Sequence, residues 1–225
     1  VGRQWGLAGL LALTCLVYCH GCAMEPTRLR TNNLENPLGT PAGVPRFSWS
    51  LSPTTDPPVR QQRQSAYRIM CSTDPAGSVA DLWDSGKVAS NETLQIPYDG
   101  MKLASELRVF WQVSVWDGDG TACPDSAWGE AWFETALHSA SDWQGAEWLA
   151  RFPPRANLTD CEMYEKSDWN RVPRFRAEFD IPAMDVLSIR AYISGLGYYQ
   201  LFVDGKRVGT SRLDPGWTTY DKTVL

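Results

Sequence analysis

The sequence predicts an all-β protein built from two tandem β-sandwich modules. Three observations carry this. Apolar residues alternate at a period of two in short runs, turn residues punctuate those runs at short intervals, and no long stretch carries apolar residues at helical spacing. At 225 residues the chain exceeds the usual single core of roughly 100 to 150 residues, so two modest domains are expected.

The first element is a leader. Arg3 precedes a short apolar run from Gly6 to Tyr18, which reads as a secretory signal over residues 1–22 with cleavage near Gly21 to Ala23. The run is shorter than the roughly 20 apolar residues that a spanning helix needs, so no integral membrane segment is expected after its removal. The product is therefore exported, to the periplasm or beyond the cell. A lipid anchor at Cys22 is the alternative fate, although Cys19-His20-Gly21 lacks the aliphatic residue usual three positions before such a cysteine. Cys15, Cys19 and Cys22 are counted with the leader, which leaves Cys71, Cys123 and Cys161 in the body. That odd set allows one bridge at most and favours buried free thiols. No CxxC metal box follows the leader.

The first module spans 27–136. Its clearest strand is 106–117, where Leu107, Val109, Trp111, Val113 and Val115 share one face, expected to be core, and Arg108, Phe110, Gln112, Ser114 and Trp116 share the other. Gly118-Asp119-Gly120 ends it in a turn. Further strands are read at 46–51, 65–71, 82–88 and 127–134. Several short strands in about a hundred residues match a fibronectin type III or immunoglobulin-like sandwich. A polar linker and a crossing segment rich in Pro and charge follow over 137–172.

The second module occupies 173–225, with strands read at 175–179, 186–194 and 198–203. Asp204-Gly205 marks a two-residue hairpin, because a type I′ turn requires positive φ at both positions. Residues 199–203 and 206–208 should therefore pair. The chain reaches Leu225 within what reads as another strand, so this second sandwich is expected to be incomplete, with edges that a longer chain would cover.

Composition excludes some functions. A net charge of −5 with no cluster of Lys and Arg argues against a nucleic-acid partner. The 11 Trp, 8 Tyr and 7 Phe suit a sugar-binding surface, but aromatic residues also fill sandwich cores, which is the expected place for most of them. The two histidines, His20 and His138, form no Ser-His or Cys-His arrangement. Glu134, Glu162 and Glu165 are expected to be solvated acids. The sequons at Asn91 and Asn157 matter only in a eukaryotic secretory pathway.

Ordered blocks then point to a family. Leu29-Arg30, Glu35-Asn36-Pro37-Leu38-Gly39, Pro45-Arg46-Phe47-Ser48-Trp49, Ala66-Tyr67, Leu82-Trp83-Asp84-Ser85-Gly86-Lys87-Val88, Trp111-Gln112-Val113-Ser114-Val115-Trp116-Asp117 and Phe133-Glu134-Thr135 run through the first module. Asp142-Trp143, Phe175-Arg176-Ala177-Glu178-Phe179, Ser194-Gly195-Leu196-Gly197-Tyr198-Tyr199, Asp204-Gly205-Lys206-Arg207-Val208-Gly209 and Leu213-Asp214-Pro215-Gly216-Trp217-Thr218-Thr219-Tyr220 continue through the second. In this order they resemble the N-terminal, non-catalytic region of the family 78 glycoside hydrolases, the bacterial α-L-rhamnosidases.

The resemblance implies that the second module is a galactose-binding-like jelly roll. It also implies removal of terminal α-L-rhamnose from glycosides or polysaccharides by inversion, performed by acids on a downstream (α/α)6 barrel absent from this chain. Inversion needs two carboxyl groups about 6.5–9.5 Å apart. No residue here takes either role, so no catalytic residue and no protein-bound metal is assigned, and the chain alone is expected to be inactive. Some relatives bind rhamnose on such a second module with help from calcium. The candidate contacts here are Tyr198, Tyr199, Asp204, Asp214 and Trp217, with Tyr220 beside them. A rhamnose-binding face and a buried seam against the catalytic barrel are the two readings of these rings, and the seam is favoured. Asp204 and Asp214 both have ordinary turn roles. A non-catalytic rhamnose-binding protein and an adhesion protein of fibronectin-like modules are the alternatives from other classes.

Overall fold

The computed structural model describes residues 21–77, 79–127, 129–150, 172–181 and 185–222. The leader up to residue 20, Asn157, Cys161, Glu162 and Glu165 lie outside these. The chain divides into two compact units, Val1–Trp148 and Leu149–Leu225.

The first unit is a sandwich of seven strands: β1 (Met24–Thr31), β2 (Arg46–Pro53), β3 (Gln64–Ser72), β4 (Trp83–Asp84), β5 (Ile96–Pro97), β6 (Arg108–Asp117) and β7 (Ala131–Glu134). A three-stranded sheet, ordered β1-β2-β5, faces a four-stranded sheet, ordered β4-β3-β6-β7, and all these pairings are antiparallel. This three-plus-four arrangement is the fibronectin-like sandwich the strand pattern predicts.

Burial of β6 follows the predicted alternation. Val109, Trp111, Val113 and Val115 are buried, while Leu107 packs at the margin just before the strand. From the opposite sheet Phe47 meets them, its ring centroid 4.5 Å from Trp111 and 6.1 Å from Phe133. Trp49, two residues on, packs edge-on against Tyr67 at 5.4 Å. Phe47 and Trp49 therefore join the sheets, and burying rings of this size supplies much of the module's hydrophobic stabilisation.

Two strands escaped the periodicity. β1 contains Pro26, carries Arg28 and Arg30, and shifts register between Thr27 and Arg30, where Arg28 adopts φ 51. It is an edge strand marked by proline, charge and a bulge, the features that keep an edge from pairing with other chains. β5 has only two residues and no period to read. In the other direction, the run at 127–134 shrinks to Ala131–Glu134, and that at 82–88 to Trp83–Asp84 plus a bridge between Tyr67 and Val88.

The outer edge of β7 is covered by the Glu35-Asn36-Pro37-Leu38-Gly39 block. Asn36 accepts from the Trp132 amide at 2.9 Å and donates to the Glu130 carbonyl at 3.1 Å. The Glu134 amide donates to Pro37 O at 3.0 Å, and the Thr40 amide to Glu134 O at 2.7 Å. A polar loop thus satisfies a sheet margin that would otherwise be open.

The cysteines differ from expectation. Cys22, counted with the leader, is bonded to Cys123, expected to be a free thiol. The physical reason is position: Ala23 and Met24 are already buried at the start of β1, so the residue just before them is held against the sandwich. Cys71 is the buried free thiol expected of it. Burial pushes its pKa well above the usual thiol value.

In the second unit, β8 (Phe202–Val203) and β9 (Lys206–Arg207) form the predicted hairpin. Asp204 and Gly205 take φ 47 and 74, and the Val208 amide donates to Leu201 O at 2.9 Å. Among the described residues, 175–179 and 186–194 are not assigned to strands, unlike the expectation. Val186, Leu187 and Ile189 are exposed, Leu187 almost completely.

Candidate functional site

Of the residues singled out in the second unit, the fold gathers three rings. Tyr198 meets Trp217 edge-on with centroids 6.0 Å apart, and Trp217 lies nearly parallel to Tyr220 at 6.3 Å. Trp217 is 76% exposed and Tyr198 50%, so their faces are open to a partner. Such a cluster can stack on the apolar face of a sugar ring or pack into an apolar interface.

Tyr199 sits just behind. Its amide donates to the Asp214 carbonyl at 2.7 Å, forming an isolated antiparallel bridge. This contact holds Asp214 alongside Tyr199, three residues from Trp217 in one segment and next to Tyr198 in the other. Burial raises the Tyr199 phenol above its usual pKa, and the Asp214 charge raises it further, so the phenol remains a neutral hydrogen-bonding group at neutral pH. Asp204 occupies the hairpin turn and is exposed.

Calcium requires six to eight oxygen ligands within about 2.6 Å. Among the described residues no group of three or more His, Cys, Asp or Glu side chains could hold a metal ion. Asp214 engages Tyr199 through its backbone carbonyl, and Asp204 occupies the hairpin turn.

The acids of the first unit have structural duties. Glu134, expected to be solvated, is buried to 9% exposure and bonded to Arg108, whose Nε donates to Oε1 at 2.7 Å. Arg108 also lies 4.5 Å above the Trp132 ring. Pairing explains the burial: a carboxylate leaves water only when a cation replaces its hydration. His138 borders a mainly apolar cavity of about 360 Å3 together with Lys102, Leu103 and Thr135. Its backbone amide donates to Asp142 Oδ2 at 3.0 Å. Asp142 Oδ2 also accepts from Ser105 Oγ at 2.6 Å and the Ser139 amide at 2.9 Å. These bonds, Ser105 first, hold its pKa down to about 2. That network pins the end of the sandwich.

Comparison with known proteins follows the same order along the chain. Residues 26–139 match the family model for the Rha78A-like, N-terminal immunoglobulin domain, and residues 184–225 match that for the alpha-L-rhamnosidase N-terminal domain. The chain is 36% identical over 212 residues to an alpha-L-rhamnosidase of Streptomyces avermitilis, covering 87% of this chain and 20% of that protein. It is 32% identical over 206 residues to one of an Alteromonas species, covering 89% and 21%. The chain thus spans about a fifth of the length of these relatives. The crystal structure of an Aspergillus terreus alfa-L-rhamnosidase shares the fold with a TM-score of 0.59 at 21% identity, over 88% of this chain and 21% of that one.

Proposed function

From the premise that this chain belongs to the Rha78A-like α-L-rhamnosidases, we propose that it is the N-terminal accessory region of an exported enzyme that hydrolyses terminal α-L-rhamnosides with inversion. The observation that carries the reading is the order of the two family matches on a chain that spans a fifth of its relatives. The acids of the reaction belong to a catalytic domain outside this chain, and the two modules scaffold it. The leader-like run before Cys22 supports export to the periplasm or the medium. Exposure of Tyr198 and Trp217 fits a seam that the catalytic domain covers. The substrate partners, rhamnose-containing glycosides or polysaccharides, are met through that domain.

A second reading rests on the same rings: the chain binds rhamnose directly through Tyr198, Tyr199, Asp204, Asp214 and Trp217. Two measurements on the purified chain decide. Incubation with a nitrophenyl α-L-rhamnoside should release no more nitrophenol than buffer does, and turnover would overthrow the accessory reading. Calorimetry with L-rhamnose, with and without calcium, should give no heat of binding under the seam reading. Saturable heat that Trp217→Ala removes would establish the sugar-binding one.

A further inference from the structure

We propose that Cys22 is kept in the mature protein as half of a structural cystine with Cys123, so that it is neither removed with the leader nor open to lipid attachment through its sulfur. The two cysteines are 101 residues apart in sequence, and their Cα atoms stand 4.8 Å apart, within the usual span of a bridged pair. Each half is held in place by its own backbone ladder. On one side Met24 begins β1 opposite Pro53, and the Thr54 amide donates to Ala23 O at 2.9 Å. On the other the Cys123 amide donates to Val115 O at 3.0 Å, which fixes Cys123 beside β6. The bond therefore joins the entry of the outermost strand of one sheet to the loop that follows the central strand of the other.

Two further points weigh against competing fates. The remaining described thiol, Cys71, is fully buried within β3 and is not presented for exchange with either partner. Lipidation would place a thioether on the same Sγ that the disulfide uses, and Cys19-His20-Gly21 is a poor context for that reaction. Leader removal must then fall before Cys22, not at Ala23. Formation of the bond is a two-electron exchange. The two thiols give up two protons and two electrons to the disulfide of a protein thiol oxidant, which leaves as a dithiol. The inference takes from the proposed function only the oxidising compartment that supplies this oxidant.

The test uses the whole chain, with an initiating methionine ahead of Val1, exported from a Gram-negative host. Peptide mapping of the unreduced periplasmic protein should yield a Cys22–Cys123 cross-linked peptide, and intact mass should place the N-terminus at or before Cys22. In a chain that begins between His20 and Cys22, alkylation in denaturant should label two thiols, Cys71 and Cys161, and four after reduction. In Cys22→Ser the urea midpoint should no longer respond to reductant, whereas in the parent it should fall. A mature chain beginning at Ala23, a diacylglyceryl group on Cys22, or pairing of Cys123 with Cys71 or Cys161 would overturn the proposal. Retention in the cytosol with the leader attached would count against export alone. The same protein oxidised in a glutathione buffer would then decide the pairing.

Discussion

Gln64 offers the sharpest test of how the first module is held together. It opens β3 in the four-stranded sheet and is 3% exposed. Its Oε1 accepts from the Trp49 indole across the sandwich at 3.0 Å, and its Nε2 donates to Ser90 O at 3.1 Å and Glu92 O at 3.0 Å. One amide thus links both sheets and the segment that leads into β5. Gln64→Met keeps the side chain's length and removes all three bonds. The Trp49 N–H would be stranded where water cannot reach it, at roughly 1–3 kcal/mol, while the two carbonyls lie nearer the surface and recover part of their loss. A total of about 3 kcal/mol is expected. Urea unfolding of the whole chain measures it, with hydrogen exchange of peptides from β2, β3 and residues 88–95 to locate the effect in this module. Trp49→Phe keeps a ring in place but removes the donor, so Gln64→Met should cost about 1 kcal/mol less on that background. Equal costs on both backgrounds, or a loss under about 0.5 kcal/mol, would refute the view of Gln64 as a linchpin.

Phe47→Ala, which empties a fully buried site touching both sheets, should lower stability by about 3–5 kcal/mol. Phe202→Ala, at a 53% exposed hairpin position, should change it by no more than about 0.5 kcal/mol in the same urea experiment. Asp142 predicts a pH dependence: its folded pKa of about 2 lies below the roughly 3.9 of an unfolded aspartate. Its contribution is therefore complete above about pH 4 and lost as the pH falls through about 2. Exchange protection around Ser105 and 138–142 should decline in that window, and Asp142→Asn should abolish this dependence.

How much of this was legible in the sequence depended on whether a residue's surroundings were local. The face of β6 could be read because the period of two is written along one strand, and the β8–β9 turn because Asp204-Gly205 supplies positive φ without help from elsewhere. β1 could not, because an edge strand interrupted by Pro26 and two arginines is defined by its partner β2. Glu134 was misjudged for the same reason, since Arg108 lies 26 positions away in sequence and becomes its neighbour only when β6 pairs with β7. The family blocks themselves are largely structural: Asn36 and Pro37 seal the β7 edge, and Thr135 Oγ1 accepts from the Leu107 amide at 2.8 Å. In the second unit the rings of Tyr198, Trp217 and Tyr220 could be named from the sequence, but the Tyr199–Asp214 bridge beside them is a long-range contact with no sequence signal. The alternation at 175–179 and 186–194 is a genuine period, but among the described residues neither run is assigned to a strand.

The central claim, that these modules serve a catalytic domain carried on the same natural polypeptide, is tested most directly by the size and activity of that polypeptide in its producing cells. Antibodies raised against the purified chain should detect a species about five times its 25.2 kDa, given that the chain spans about 20% of its relatives, and this species should co-purify with α-L-rhamnosidase activity. Detection solely of a species near 25 kDa, with no rhamnosidase activity retained on the antibody column, would contradict the account.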